Sequence, residues 1–468
     1  MTDAVPSHPP ASFDEEHYLA QVGGSVGDSI TPWEHYVTVG AAAGLDPAPW
    51  FQTTGYLDLH QDVAAAKVNP LLHWLLYGQY EGRRLDRGPR GAARLVETPA
   101  GLLPAGSRVD LVGPARVVSR DGSDPHEWNA AARAWDRGGA REGRVLPPEV
   151  LVTLRDALVS HDAAVSVGDW RMQDEALAGS PDVVAARHEH LGSWPLEPLP
   201  EVDEVPEAVL LGQPGDQVFG HQLLDVLPRL LTARRAGLGG LPLLVRRGAV
   251  ESMRRLLAVC GLVGSELVEL PTSGVVRVRA LHVVTFARQD DDFDPARVGE
   301  VRALLQERLV AMGSRPMMWM SRSQFIDESG GRRRLVNRAE VDATAAAAGL
   351  EVISPERLPL AEVLSRLAPG GLVAGEDGSA LHNSLVMPPG SVVLVLRHRG
   401  YGGQLHAPLA RALGHRSYVV TGREVPVPGQ DVWDPRHRDW ILEPEVVADL
   451  PRILGETLMA GAPRSSGR

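Results

Sequence analysis

A histidine and an aspartate four residues apart, His221 and Asp225, stand in the run GHQLLDVLPRLL. On a helix that spacing puts both on one face, a turn apart. Two arrangements can take a proton from a hydroxyl: Asp225 is the base, or Asp225 orients His221, whose imidazole suits proton abstraction near neutrality. The plainer alternative is an acidic residue near a helix start beside a capping neighbour. Downstream, Arg322 closes the apolar run PMMWMS, and Arg332, Arg333 and Arg334 follow a polar loop. Guanidinium is always charged and forked for phosphate oxygens, although a triple arginine is also the pattern of a solvated charge run. Arg334 is the member chosen by its register before Leu335. Gly375 to Ser379, with Gly378 in it, reads as a strand-to-helix turn whose backbone N–H groups could cradle phosphate. His382 and Asn383 stand in the short helix beyond.

Other clusters carry less. Asp290-Asp291-Asp292-x-Asp294 has the look of a metal-binding run, yet its place between two α/β halves favours a solvated interdomain loop. His188-Glu189-His190 offers two imidazoles that helix geometry would separate, with no third ligand, so no metal site is expected. Among 47 basic residues only Lys67 is a lysine, and its AAAKVNP setting is not GxxxxGK[ST], which excludes Walker-type nucleotide hydrolysis. The same setting argues against a pyridoxal enzyme. A single cysteine, Cys260, excludes an intrachain disulfide, a CxxC pair and a Cys-rich zinc site. A net charge of −12 without a basic tract makes nucleic acid and anionic membranes poor partners. The N-terminus lacks the marks of a signal peptide, and no apolar stretch approaches the ~18 residues of a membrane span. Together with the unpaired cysteine, this predicts a cytoplasmic protein.

The elements that must position these residues follow from the rhythm of the chain. Residues 1–88 contain a repeat offset by 38 residues: Phe13-x4-Tyr18-Leu19 recurs as Phe51-x4-Tyr56-Leu57, and Pro32-x2-His35 as Pro70-x2-His73. Each unit reads as two short helices, with Gly40-x3-Gly44 and Gly78-x3-Gly82 at its end. His35 and His73 are expected to be packed core histidines rather than metal ligands. Residues 89–110 are rich in Gly, Pro and Arg and read as a linker. A β-rich start then leads into strand–helix alternation to about residue 313, with a strand at 208–212 and an amphipathic helix at 221–237. A second alternation covers 314–440, and a helix at 443–461 lies in the closing 441–468 segment. Two α/β halves predict a cleft between them.

Three blocks carry a resemblance. Gly220-His221-x3-Asp225-Val-Leu-Pro228-Arg229 resembles the GHWLLDxLPRL block of glycosyltransferase family 61. Met320-Ser321-Arg322, with Arg332-Arg333-Arg334 and Asn337, resembles its ISR…RRRLxNExE block. Gly375 to Asn383, then Met387-Pro388-Pro389-Gly390, resembles its GxHGAxLTNLxFxPPG block. All three stand in family order over roughly residues 150–425. The repeat of residues 1–88 resembles one appended to bacterial glycosyltransferases, where it would tether or pack. Two departures stand out: Asp377 replaces the histidine of GHGA, and Gln222 replaces an aromatic residue.

The resemblance implies an α/β protein of GT-B type, with two facing Rossmann-like domains (111–313 on the acceptor side, 314–440 for the nucleotide sugar). It also implies an inverting, metal-independent transfer of a hexosyl or pentosyl group from a nucleotide sugar, usually a UDP-sugar, which is a substrate rather than a cofactor. The acceptor would be a bacterial surface or capsular glycan, or a lipid-linked one, reached by peripheral association at the inner membrane face. On this reading His221 and Asp225 are catalytic. Arg322, Arg334, Gly378, Ser379, His382 and Asn383 meet the donor, Glu356 is a candidate ribose ligand, and Asp377 accepts hydrogen bonds from sugar or ribose hydroxyls. The alternative is a catalytically silent glycosyltransferase-like binding module. A manganese-dependent GT-A enzyme using the aspartate run is a third reading, separated by sensitivity to EDTA.

Overall fold

The structure is a computed structural model that describes residues 13–74, 103–177, 201–322, 333–399, 405–425 and 438–459, short internal stretches excepted. Most of the 89–110 segment lies outside the described residues, as do His188-Glu189-His190, Asp290, Asp291, Arg332, Gly78 and Gly82.

The N-terminal helices are short and set by local signals. Glu15–Gln21 starts behind Asp14, whose side chain accepts from the His17 N–H. Pro32–His35 opens on a capping box between Thr31 and Glu34, and Asn69 caps Pro70–His73. Helices this short are held by tertiary burial: Phe13, Tyr18, Trp33, Tyr36, Phe51, Tyr56 and Trp74 form one apolar cluster. The Tyr18 hydroxyl meets His35 Nδ1 at 2.6 Å, and Tyr56 meets His73 Nδ1 at 2.9 Å. Both bonds obey the 38-residue offset, so the two histidines are tied to core tyrosines. Residues 53–73 carry a helix, Gln61–Ala66, without an equivalent among the described residues of the first unit.

Two large sheets follow. In the first, the parallel strands run in spatial order Leu267–Glu269, Leu243–Val245, Glu201–Leu210, Val275–Val284. The long strand Glu149–Ser160 pairs antiparallel to Val275–Val284 and starts an antiparallel flank. In the second, the parallel order is Glu351–Ile353, Met317–Met320, Leu372–Glu376, Val392–His398, Arg416–Glu424. The central strands here are buried along their length, as a sheet covered on both faces requires. In each sheet the strand order reverses at one point: between 201–210 and 275–284, and between 317–320 and 372–376. Ligands of open α/β sheets bind beyond the carboxyl ends of strands at such a point.

Several expectations need correction. His126–Asn129 pairs in parallel with Arg416–Glu424, so this early strand and its partner Ala134–Asp136 extend the second sheet, not the 111–313 unit. The strand read at 208–212 begins at Glu201, because an acidic, partly exposed edge hid its first half. The helix read as amphipathic is buried nearly all round: it comprises Phe219–His221, a π turn Gln222–Val226, and Leu227–Arg235. Its burial follows from an apolar cluster that runs through both sheets' helices, from Leu223 and Leu230 to Leu381 and Leu409. Polar ties join the same parts. Gln306 Nε2 donates to the Val386 carbonyl at 2.8 Å, and an Arg302 N–H to the Leu413 carbonyl at 3.0 Å. Asp292 and Asp294 are buried rather than solvated. Asp292 pairs with Arg411 at 2.7 Å across the contact, and Asp294 caps the helix Pro295–Arg308 and meets Arg116.

Candidate active site

The His221–Asp225 pair lies where the first sheet reverses. Asp225 is only 1% exposed, and its carboxylate accepts four hydrogen bonds. His221 Nδ1 donates to Oδ2 at 2.7 Å and Gln213 Nε2 at 3.1 Å. Arg288 reaches Oδ1 through Nε at 2.7 Å and Oδ2 through a terminal nitrogen at 3.3 Å. Gln213 follows the strand Glu201–Leu210, and Arg288 follows Val275–Val284, so the two strands at the reversal supply both supports. Burial pushes the Asp225 carboxyl upward, but Arg288 and His221 outweigh it and hold it far below the usual carboxylate range. Arg229, one turn beyond Asp225, donates to the Asp225 and Leu211 carbonyls and to Gln213 Oε1. The guanidinium also stacks 4.3 Å over the Phe286 ring. Sequence reasoning missed Gln213 and Arg288, because neither lies in a block and only the sheet brings them to Asp225.

His221 is partly open, with 29% of its side chain exposed. Beside it the backbone at Gly215 has φ +87°, and a Cβ there would stand 2.9 Å from His221 Cδ2. Glycine is therefore required twice over, for its conformation and for ring space.

The second sheet's reversal holds the guanidinium groups. Arg322 follows Met317–Met320, and Asp377 follows Leu372–Glu376. Arg322 and Arg333 both donate to the Asp377 carbonyl, at 3.1 and 2.8 Å. They line a narrow crevice, too closed as it stands to admit a water molecule, with Glu376, Asp377, Leu396, Arg397, His398 and Trp440. Burial pulls the Arg322 pKa down, with Arg333 acting in the same sense. Arg334, the member of the triplet chosen by register, is turned away and paired with Asp439 at 2.7 Å. Arg333 adopts a left-handed backbone, φ +62°, which redirects the chain between the two side chains. Glu356 is exposed on the turn Pro355–Arg357 and does not line the crevice.

The two reversals meet at Gly220. A Cβ there would fall 2.4 Å from His382 Nδ1 and 3.2 Å from Ser379 Cβ, so the helix start bearing His221 rests directly on the turn Ser379–Val386. Gly378 lies on the other side, its Cβ position 3.5 Å from an Arg322 nitrogen. His382 is buried, its Nδ1 has no hydrogen-bond partner, and its ring centre lies 4.7 Å from that of His406. Burial, and then His406, lowers the His382 pKa well below the usual imidazole value. Asn383 Nδ2 donates to the Ala380 carbonyl at 2.9 Å, while its Oδ1 has no partner. His221, Arg322, Gly378, Ser379, His382 and Asn383 are thus gathered along one path.

An imidazole hydrogen-bonded to a buried carboxylate in one α/β unit thus faces guanidinium groups in the next, an arrangement with the chemical means to accept a proton and to hold an anion. Residues 219–394 match the family model Glycosyltransferase 61, so the chain carries a domain of that family and is a glycosyltransferase. The match begins and ends around the blocks that hold these residues. No curated protein shows a significant match to the chain. Among the described residues, no helix is long and apolar enough to cross a membrane.

Proposed function

We propose that this glycosyltransferase moves a sugar with inversion, and without a metal ion, from a nucleoside-diphosphate sugar, UDP-linked, to a hydroxyl of a bacterial surface or capsular glycan. The acceptor is free or lipid-linked, and the protein meets it by peripheral association at the inner membrane face. The two α/β units serve as the facing lobes of a GT-B enzyme, with the 38-residue helical units as a packing or tethering appendage. The observation that carries the reading is the 2.7 Å bond from His221 Nδ1 to a saturated Asp225. An ionised carboxylate only accepts, so Nδ1 holds the proton and Nε2 keeps a lone pair for the acceptor hydroxyl. Asp225 is the orienting group and His221 the base.

The steps balance simply. The acceptor hydroxyl gives its proton to His221 Nε2, and its oxygen bonds to the anomeric carbon. The bond from that carbon to the diphosphate oxygen breaks, and Arg322 and Arg333 stabilise the departing charge. A single displacement needs base and leaving group on opposite faces of the sugar, and groups supplied by different sheets support that. His221→Gln and Asp225→Asn should each cut turnover about 10²–10⁴-fold with thermal unfolding still cooperative. Near-normal turnover in both refutes the assignment. Calorimetric titration should detect UDP binding, and a folded protein that binds no nucleoside diphosphate rules out the reading. Binding without turnover across donors and acceptors identifies a silent binding module instead.

A further inference from the structure

Asp377 places a carboxylate beside the crevice assigned to the donor diphosphate, where a free negative charge would oppose binding. Its geometry removes the conflict. The carboxylate Oδ1 lies 3.3 Å from His406 Nε2, and both residues are buried. Its backbone N–H donates to the Leu396 carbonyl at 2.8 Å. Its own carbonyl receives both Arg322 and Arg333. Burial pushes the carboxyl up, but His406, Arg333 and Arg397 together outweigh this and leave its pKa at about 2.

Resting on the donor site proposed above, we infer that Asp377 is a positioning residue: clamped by His406 and Leu396, it aims one carbonyl that holds two guanidinium groups for the diphosphate, and does not touch the donor. The peptide it fixes is followed by Gly378, which has no side chain to resist rotation. Loss of the clamp lets the carbonyl turn and the two arginines separate. His406, on the helix His406–Leu413, acts through Asp377 in the same way.

Calorimetry with UDP and with uridine tests this. Asp377→Ala should weaken UDP about ten-fold, the cost of one lost charge-assisted bond. His406→Ala should match it, and the double variant should be no worse than either. Asp377→Asn keeps an oxygen acceptor for His406 and should restore UDP affinity to within about two-fold. Uridine affinity should not move in any variant, which a merely structural lesion would not allow. Tighter UDP binding by Asp377→Ala and Asp377→Asn overturns the inference in favour of a carboxylate facing phosphate. Equal losses in both, additive with His406→Ala, overturn it in favour of a carboxylate that contacts the donor. Wild-type protein that binds no nucleoside diphosphate removes the functional reading itself, whereas normal UDP binding in every variant removes this inference alone.

Discussion

Four hydrogen bonds converge on the Asp225 carboxylate, and this environment explains how a buried charge is tolerated. A carboxylate out of water needs a counter-ion and filled lone pairs. Arg288 supplies the first, and His221 with Gln213 the rest. Arg288→Ala leaves that charge buried and unpaired, so it should cost about 3–5 kcal/mol in urea unfolding. Replacing both partners, Arg288→Leu with Asp225→Leu, should recover most of that loss while turnover stays abolished. Cys260 shows the opposite environment: burial pushes its thiol pKa up to about 12. It should resist maleimide at neutral pH in the folded protein and react at once in denaturant. A fast native reaction would contradict the burial described.

At the scale of elements, glycines decide how closely the pieces meet. Gly375 lets the strand Leu372–Glu376 approach Met320, since a Cβ there would lie 2.5 Å from the Met320 carbonyl oxygen. Gly215 shapes the loop against the His221 ring. Gly215→Ala adds backbone strain and a steric push on that ring, so turnover should fall about 10²-fold from ring displacement alone. Thermal stability should drop far less, and wild-type kinetics in this variant would show that the ring does not need its present place. The blocks Gly220–Arg229 and Gly375–Asn383 are legible in the amino-acid sequence because their residues are neighbours in the chain. The π turn Gln222–Val226 and the left-handed Arg333 are not, since neither conformation has a mark in residue type.

For the whole molecule, buried imidazoles and a held carboxylate both contribute to the acid response. Burial lowers the pKa of His382 and brings that of His415 to about 4, although the bond from His415 Nε2 to the Met387 carbonyl opposes the shift. Below an ordinary imidazole pKa of ~6.5 the unfolded chain binds protons that the folded one refuses, so stability falls with acidification from there toward about 4. Asp377 has the reverse shift, its folded pKa near 2. Its contribution is whole above an ordinary carboxyl value of ~3.9 and disappears as pH falls toward 2. Urea midpoints should therefore decline in two stages, and His415→Asn should flatten the upper one. An unchanged upper stage in that variant would place the proton uptake elsewhere.

What the sequence by itself determined is local. Apolar periodicity and turn residues marked the alternating strands and helices, the 38-residue offset marked paired tyrosines and histidines, and three short blocks pointed to the transferase family. One lysine among 47 basic residues left arginine as the strong cation this chain can offer an anion. Tertiary structure decided where the arginines go: Arg333 joins Arg322 on the Asp377 carbonyl, while Arg334 pairs with Asp439, because a left-handed residue redirects the chain between them. It decided that Arg288, 63 residues from Asp225 in the chain, binds the carboxylate that His221 also meets. It also turned Asp377 from an apparent obstacle into a held residue with His406. Patterns of neighbours report propensity and hydrophobic face. Hydrogen bonds between strand ends far apart in the chain depend on sheet order, which no single segment encodes.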